Sequence, residues 1–439
     1  MAAEDPGLKI EADFRRVIGP FTRLSGVQPI FPDPGADPDD PASYRFQAID
    51  RHIKAARQSG CKILWQASYD VGLSDAWKGF NLGGRPPRDM TLWGRVVTHC
   101  LEHFNSGWAG GFRGAVAYAE FVNEPDGLGG FTGPQRERLV PSFIEFLKVV
   151  ERCNARHPDT PVEAVGPGIP LSWDQWRRFE QPTLRLLQRL REERVRLPIF
   201  SFHTYGEDTS PGSNQKLARA LRTALDAHGM TQTRLWNSEW QATDFIRKSL
   251  GHRPRTGQPL TPEQALLYQR AVAAYALACK IRWQGLVDYS CYYIALRRCF
   301  PVGQVPRNLD LGIYFPPASA PTLLAKQDQL LWETARLYPE RCQIEFSPDD
   351  GMFSALALHS PEGDALLLSN PSATSRTLHI STHLCRPTAN PKLHWKILGG
   401  TCGTARAQGE GGHCRFDFQV PRAASVLVEF EPRVGKDSL

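Results

Sequence analysis

Up to about residue 340 the chain alternates short apolar runs with segments of helical period, the pattern of repeated βα units. The runs predict strands at Phe14–Gly19, Lys62–Ser68, Ala115–Val122, Pro161–Val165, Ile199–Tyr205, Arg234–Glu239 and Gly285–Tyr293. Several are apolar almost throughout, as parallel strands covered on both faces must be. Between them run stripes of 3.6-residue period. One carries Leu92, Trp93, Val96, Val97, Cys100, Leu101 and Phe104; another carries Phe46, Ile49 and Ile53 and stops at Gly60. A third places Leu217, Leu221 and Leu225 on one side and ends at Gly229. Beyond residue 340 the helical signal fades. Phe353–His359, Ala365–Ser369, Thr377–Ser381, His394–Leu398, Cys414–Val420 and Ser425–Phe430 predict short strands separated by Pro, Gly, Asn and Asp turns.

The expected architecture is α/β: a (β/α)8 TIM barrel over residues 1–338, then a small antiparallel β-sandwich over 339–439. Seven barrel strands are counted where eight are needed, with little chain before the first. The expectation is therefore either an eighth strand without a clear pattern or a barrel lacking its first βα unit. With 439 residues, 41% hydrophobic and 22% charged, the chain has ordinary globular composition and is not expected to be disordered. No apolar run is long enough to span a bilayer. The first twenty residues, with Glu4, Asp5, Glu11 and Asp13, lack the basic-then-apolar pattern of an export signal, which points to the cytoplasm. The alternative is an extracytoplasmic protein whose leader is missing from the sequence.

A net charge of +6 is mild, and acidic residues interrupt the basic groups at Arg177–Arg178, Arg189 through Arg196 and Arg297–Arg298. Neither nucleic acid nor a membrane is an expected partner. The ten cysteines show no zinc spacing, the histidines no H-E-x-x-H, and the glycines at Gly127–Gly130 no phosphate-binding fingerprint. No metal and no cofactor are expected.

Side chains at the carboxyl ends of barrel strands point into the active site. Two such ends stand out, Phe121-Val122-Asn123-Glu124-Pro125-Asp126 and Leu235-Trp236-Asn237-Ser238-Glu239-Trp240. A barrel closing through them would bring Glu124 and Glu239 face to face across its mouth. Two facing carboxyls are what glycosidic cleavage needs, one to protonate the leaving oxygen and one to attack or stabilise the anomeric carbon. A separation of about 5–5.5 Å gives retention through a covalent intermediate, and about 6.5–9.5 Å gives inversion through water. Asn123, beside Glu124, is placed to hydrogen-bond the sugar hydroxyl next to the reacting carbon.

Asn-Glu-Pro at one strand end, with a second Glu three strands later, resembles the retaining glycoside hydrolases of clan A, which share the (β/α)8 barrel. The chain looks most like family 39, the β-xylosidases and α-L-iduronidases, and its bacterial relatives. The likeness rests also on Phe31-Pro32-Asp33, Asp37 through Tyr44, Asn105-Ser106-Gly107-Trp108-Ala109-Gly110-Gly111-Phe112 and Phe202-His203-Thr204-Tyr205. The resemblance implies that Glu124 is the acid/base and Glu239 the nucleophile. It implies that His203 and Tyr205 orient Glu239 and contact the sugar, and that Trp240 and Trp65 offer ring faces to it. The implied function is hydrolysis of O-glycosidic bonds in an oligo- or polysaccharide, with carbohydrate as the partner. Two alternatives share the scaffold: a catalytically silent carbohydrate-binding protein, and a transglycosidase. Sugar, linkage and oligomeric state do not follow from these residues.

Overall fold

The computed structural model describes residues 21–25, 30–58, 60–67, 89–124, 136–206, 209–250, 261–292, 314–315, 320–321, 323–346, 349–384, 390–410 and 413–430. These residues fall into two compact units. The first takes those within 1–204, 217–240 and 286–293, the second those within 205–216, 241–285 and 294–439.

The first unit is built on seven parallel strands hydrogen-bonded in chain order. They are β1 (Phe21–Ser25), β2 (Lys62–Gln66), β3 (Tyr118–Glu120), β4 (Glu163–Pro170), β5 (Ile199–Thr204), β6 (Arg234–Trp240) and β7 (Tyr289–Tyr292). This is the parallel α/β barrel sheet that the alternating pattern predicts. Among the described residues it ends on β1 and β7. The expected strand at Phe14–Gly19 lies outside the described residues, and Phe21–Ser25, which carries Thr22 and Arg23 among its apolar residues, takes first place instead.

The helices follow the predicted stripes. In α1 (Gln47–Gln58) Ile49 and Ile53 are buried, and the left-handed Gly60 ends the turn. In α2 (Met90–Asn105) Trp93, Val96, Val97, Cys100, Leu101 and Phe104 are buried, and Asp89 caps the start by accepting from the amides of Thr91 and Leu92. Also in this unit are α3 (Arg136–Arg156) and α4 (Trp173–Glu192).

One side chain from each of five strands forms the inner layer: Leu64, Tyr118, Val165, Ile199 and Trp236 pack as one cluster. Strand side chains alternate, so residues two further along face the same way, toward the carboxyl ends where a barrel carries its site. That second layer is polar, and it holds up the site described below.

The second unit carries the β-sandwich. A six-stranded antiparallel sheet has the order Glu340–Ile344, Ser354–Ser360, Gly363–Asn370, Ala424–Phe430, Lys392–Ile397, Cys402–Arg406, and a three-stranded sheet the order Arg376–His383, His413–Val420, Gln408–Glu410. Phe353, Leu366, Leu368, Leu393, Val426 and Val428 are among the residues that fill its core. All six strands expected here are present. On the outer face of the larger sheet lies α5 (Pro262–Arg282), whose Leu277 and Ile281 pack with Leu356, Leu358, Leu367 and Leu427. Its run from Ala271 to Cys279 is buried without a gap, as a helix apolar on every side must be. Arg282 ends the helix, buried, with Nη1 and Nη2 on the two oxygens of Asp349 at 2.8 and 2.6 Å. It also donates to the Phe353 carbonyl at 2.7 Å, Ser354 Oγ at 2.9 Å and Gln215 Oε1 at 3.0 Å.

Removing one partner from such a buried network strands the others. Arg282→Met should therefore destabilise the second unit by about 2–4 kcal/mol, read as faster hydrogen exchange at the amides of Leu356 and Leu367. Unchanged exchange there would show that the network contributes nothing to the unit's stability.

A second network pins α2 to the segment before α1. His99 lies 3.0 Å from Asp39 through Nε2 and 3.0 Å from Glu102 through Nδ1. Arg95 also bonds Asp39, and Arg156 and His157 reach Glu102. The Glu102 bond, opposed by burial and helped by Asp39, raises the His99 imidazole above its ordinary 6.5. A raised folded-state value contributes stability that is complete below the unfolded value and is lost as pH rises through the folded one. Hydrogen bonds to His99 and the nearby arginines, opposed by burial, hold Asp39 below its ordinary 3.8 and Glu102 below 4.5. The window therefore opens below about pH 5 and closes as pH rises above 6.5 through the raised imidazole value. His99→Gln should lower the melting temperature most in that window and progressively less above it. A deficit independent of pH would rule out the ion pairs as its source.

Candidate active site

The strand ends expected to carry chemistry converge. Glu124 follows β3, His203 lies near the end of β5 and Glu239 near the end of β6. One carboxylate or ring-nitrogen atom from each lies within 4.8 Å of the other two. His203 is fully buried and its Nδ1 stands 3.0 Å from Glu124 Oε1, while the Glu124 side chain keeps 23% of its surface exposed. The histidine can therefore orient the Glu124 carboxyl while that group still meets solvent. The resemblance assigns His203 to Glu239; in the structure its Nδ1 pairs with Glu124, and a His203 ring nitrogen also lies within 4.8 Å of a Glu239 carboxylate oxygen.

Two irregularities in the sheet create this arrangement. Along β6 the pairing with β5 passes from Phe202–Asn237 to His203–Glu239, so Ser238 is an extra residue. A regular strand would turn Ser238 and Glu239 to opposite faces. The bulge lets Ser238 reach into the barrel, where its Oγ donates to Glu120 at 2.6 Å, while Glu239 still joins the cluster. Asn237 secures the kink: its amide nitrogen donates to the carbonyls of Phe202 and Glu239 at 3.0 Å, and its oxygen accepts from the Thr204 hydroxyl at 2.8 Å. On β4 the extra residue is Gly168, left-handed at φ +68°. Its N–H donates to Ser201 Oγ at 3.0 Å and its carbonyl accepts from the Glu124 amide at 3.2 Å. A side chain there would be strained and would crowd the Val122 carbonyl.

Glu124 itself is left-handed, at φ +43°. For a non-glycine residue that conformation costs about 1–2 kcal/mol, and such strain is characteristic of functional positions. Asn123 is buried beside it, its Oδ1 accepting from Gln66 Nε2 at 3.0 Å.

The aromatic candidates lie differently. Trp65 is fully buried with its ring 5.1 Å from Phe104 of α2, on the helix side of the sheet. It presents no face at the strand ends. Trp240 is also fully buried, edge-on to Tyr292 at 5.0 Å. Tyr205 follows β5 immediately, is partly buried and begins a segment of the second unit. Pro125, Asp126 and Gly127–Gly130 lie outside the described residues.

Sequence reasoning passed over Glu120, Gln66, Ser201 and Ser238, the polar layer below the cluster. Glu120 is buried within an apolar strand, where an acid is rare unless it is matched. It stands four residues before Glu124, and that spacing was the available signal.

Chemically, paired carboxyls this close suit proton transfer combined with nucleophilic attack at one carbon. The same three atoms could also close on a cation, since two carboxylate oxygens and an imidazole nitrogen are ordinary ligands.

No protein-family model matches the chain, and no curated protein matches it in sequence. Solved structures do match. A glucosidase from Croceicoccus marinus superposes with a TM-score of 0.60 at 20% identity, covering 95% of this chain and 90% of its own. The GH39 enzyme from Xanthomonas axonopodis pv. citri gives 0.57 at 14% identity, covering 89% and 83%. A monomeric beta-xylosidase from Caulobacter crescentus CB15 gives 0.56 at 14% identity, covering 89% and 85%. The chain has the fold of barrel glycoside hydrolases. At these identities the likeness is one of fold.

The strain at Glu124 is measurable apart from any activity. Glu124→Gly and Glu124→Ala remove the same carboxyl, but only alanine retains the left-handed penalty. Glu124→Gly should be the more stable by about 1 kcal/mol in denaturant unfolding. An alanine variant of equal or greater stability would mean that position 124 is unstrained.

Proposed function

We propose that the protein is a glycoside hydrolase that cleaves O-glycosidic bonds with retention of configuration, Glu124 serving as acid/base and Glu239 as nucleophile. The observation that carries the reading is the approach of the two carboxyls, at the ends of β3 and β6, to within 4.8 Å. That approach is nearer the separation of about 5–5.5 Å found with retention than the roughly 6.5–9.5 Å that accommodates an activated water, and it supports direct attack. The folds of a glucosidase and a beta-xylosidase support the same reading.

In the first step Glu239 attacks the anomeric carbon while Glu124 protonates the departing oxygen. The glycosyl–Glu239 ester is then hydrolysed by water, which Glu124, now a carboxylate, deprotonates. His203 holds the Glu124 carboxyl between the two half-reactions. Asn123 donates to the hydroxyl beside the reacting carbon, a bond that strengthens as the carbon flattens and gains charge. Trp65 has no part in the site. Tyr205, just beyond β5, and Trp240, next to Glu239 on β6, are the further candidates for contact with the sugar. The substrate class is an oligo- or polysaccharide glycoside of the xylosidase or glucosidase kind.

Purified protein assayed on aryl xyloside, glucoside, arabinoside and iduronide should turn over one of them. The first product, followed by proton NMR at the anomeric position, should keep the substrate's configuration. Glu239→Gln should abolish turnover, and Glu124→Gln should reduce it by about 10²–10⁴-fold on substrates with poor leaving groups. An inverted product would refute the double displacement. Activity lost to a chelator and restored by a divalent cation would favour the metal-binding use of the same three residues.

A further inference from the structure

Below the proposed catalytic cluster, the barrel interior holds a carboxylate where packing alone calls for an apolar side chain. Glu120 has no exposed surface. Its Oε1 accepts from Ser201 Oγ at 3.0 Å and from Ser238 Oγ at 2.6 Å, and its Oε2 faces Gln66 Nε2 at 3.4 Å. Ser201 already accepts the Gly168 N–H, so its hydroxyl proton is directed at Glu120. The same Gln66 nitrogen donates to Asn123 Oδ1 at 3.0 Å. Gln66 Oε1 is buried and has no hydrogen-bond partner among the described residues.

We infer that Glu120 is a positioning residue that sets which way round the Asn123 side-chain amide stands, through the amide of Gln66. This rests on the glycosidase reading for its consequence, but not for its geometry. Oε1 accepts from two hydroxyls and Oε2 faces the Gln66 nitrogen rather than its oxygen, so both Glu120 oxygens act as acceptors and Gln66 turns its nitrogen toward them. The other hydrogen of that nitrogen goes to Asn123, which must offer its oxygen. Asn123 is thereby held with Nδ2 turned away from Gln66, the orientation in which it donates to a sugar hydroxyl. The orphaned Gln66 oxygen is the cost of this order. Flipping the Gln66 amide would remove that nitrogen from both acceptors and set its oxygen against the Glu120 carboxylate and Asn123 Oδ1.

The relay predicts an unusual effect from an isosteric change. In Glu120→Gln the two serine hydroxyls hold the new amide by its oxygen, which leaves its nitrogen facing Gln66. Gln66 then turns its oxygen inward, gaining the partner it lacks, and Asn123 must turn its nitrogen toward Gln66. The fold stays intact while the Asn123 donor is withdrawn from the substrate side. Gln66→Met breaks the relay at its middle and serves as the second variant should Glu120→Gln not fold.

The test compares the aryl glycoside that the full-length protein turns over best with its 2-deoxy counterpart, which lacks the hydroxyl Asn123 addresses. Glu120→Gln and Gln66→Met should each lower kcat/KM on the glycoside by about 30-fold, chiefly in kcat, and by less than about threefold on the 2-deoxy substrate. The double variant should be no worse than the weaker single one. Equal losses on the two substrates would reduce Glu120 to a structural residue and overturn the inference, as would no loss on either. A second measurement needs no turnover. In protein labelled with 15N-asparagine, the Asn123 side-chain amide resonances should move in both variants relative to wild type, and static resonances would overturn the inference. If wild-type protein cleaves no glycoside, the proposed function fails, and these resonances alone decide the role of Glu120.

Discussion

A buried carboxylate constrains a barrel more tightly than any apolar side chain can. Leu64, Tyr118, Val165, Ile199 and Trp236 fill the layer below by volume, and volume tolerates exchange. Glu120 instead needs donors on both oxygens, at fixed distances, from Gln66, Ser201 and Ser238 on three other strands. Slipping any one of those strands by a residue would send its donor to the far face and leave an unmatched charge inside the sheet. Glu120 therefore locks the register of β2, β3, β5 and β6 together. The positions of Asn123 and Glu124 above it follow from that register, because they continue the same strand.

The bulges are the other half of this constraint. Strict alternation offers a strand one inward side chain in two, yet β6 must supply Ser238 to the polar layer and Glu239 to the cluster. Inserting Ser238 as an unpaired residue satisfies both, and the Asn237 amide takes up two carbonyls around the kink. Gly168 solves the matching problem on β4, where one left-handed residue serves Ser201 with its N–H and Glu124 with its carbonyl. The strained backbone of Glu124 completes a set of departures from regular geometry, and all of them lie within two layers of the same point.

These departures also mark where the sequence could be read and where it could not. Periodicity located the helices because Trp93, Val96, Val97 and Phe104, or Ile49 and Ile53, repeat at the helical interval and are buried as that interval requires. It placed Glu124 and Glu239 at strand ends, since each follows an apolar run. It could not locate β4, expected at Pro161–Val165 but running over Glu163–Pro170, because Gly166-Pro167-Gly168 carries turn residues that here form the bulged end of a strand. Nor could it see the Ser238 bulge, which exists only as a relation between β6 and its neighbours. The aromatic residues misled for a related reason. Trp65 is one residue from the inward-facing Gln66, and one residue is the whole difference between the barrel interior and Phe104. The helix α5 showed no stripe to follow, as Ala271 through Cys279 are buried on every side.

Stability alone does not account for the polar layer. Replacing a buried ionic or polar group by apolar residues of similar volume is often neutral or stabilising, and the apolar layer beneath shows that this sheet packs well without polar groups. The contrast with Arg282 is instructive. That guanidinium sits at the end of a helix, where Asp349 at 42% exposure still meets water and the carbonyl of Phe353 needs a donor. Its network therefore answers local needs of the backbone. Glu120 creates a demand that Ser201, Ser238 and Gln66 meet, and among the described residues one oxygen of Gln66 stays unmatched as a result. A group that adds cost at its own position is explained by what it orients, and the layer directly above it holds Asn123 and the carboxyl cluster.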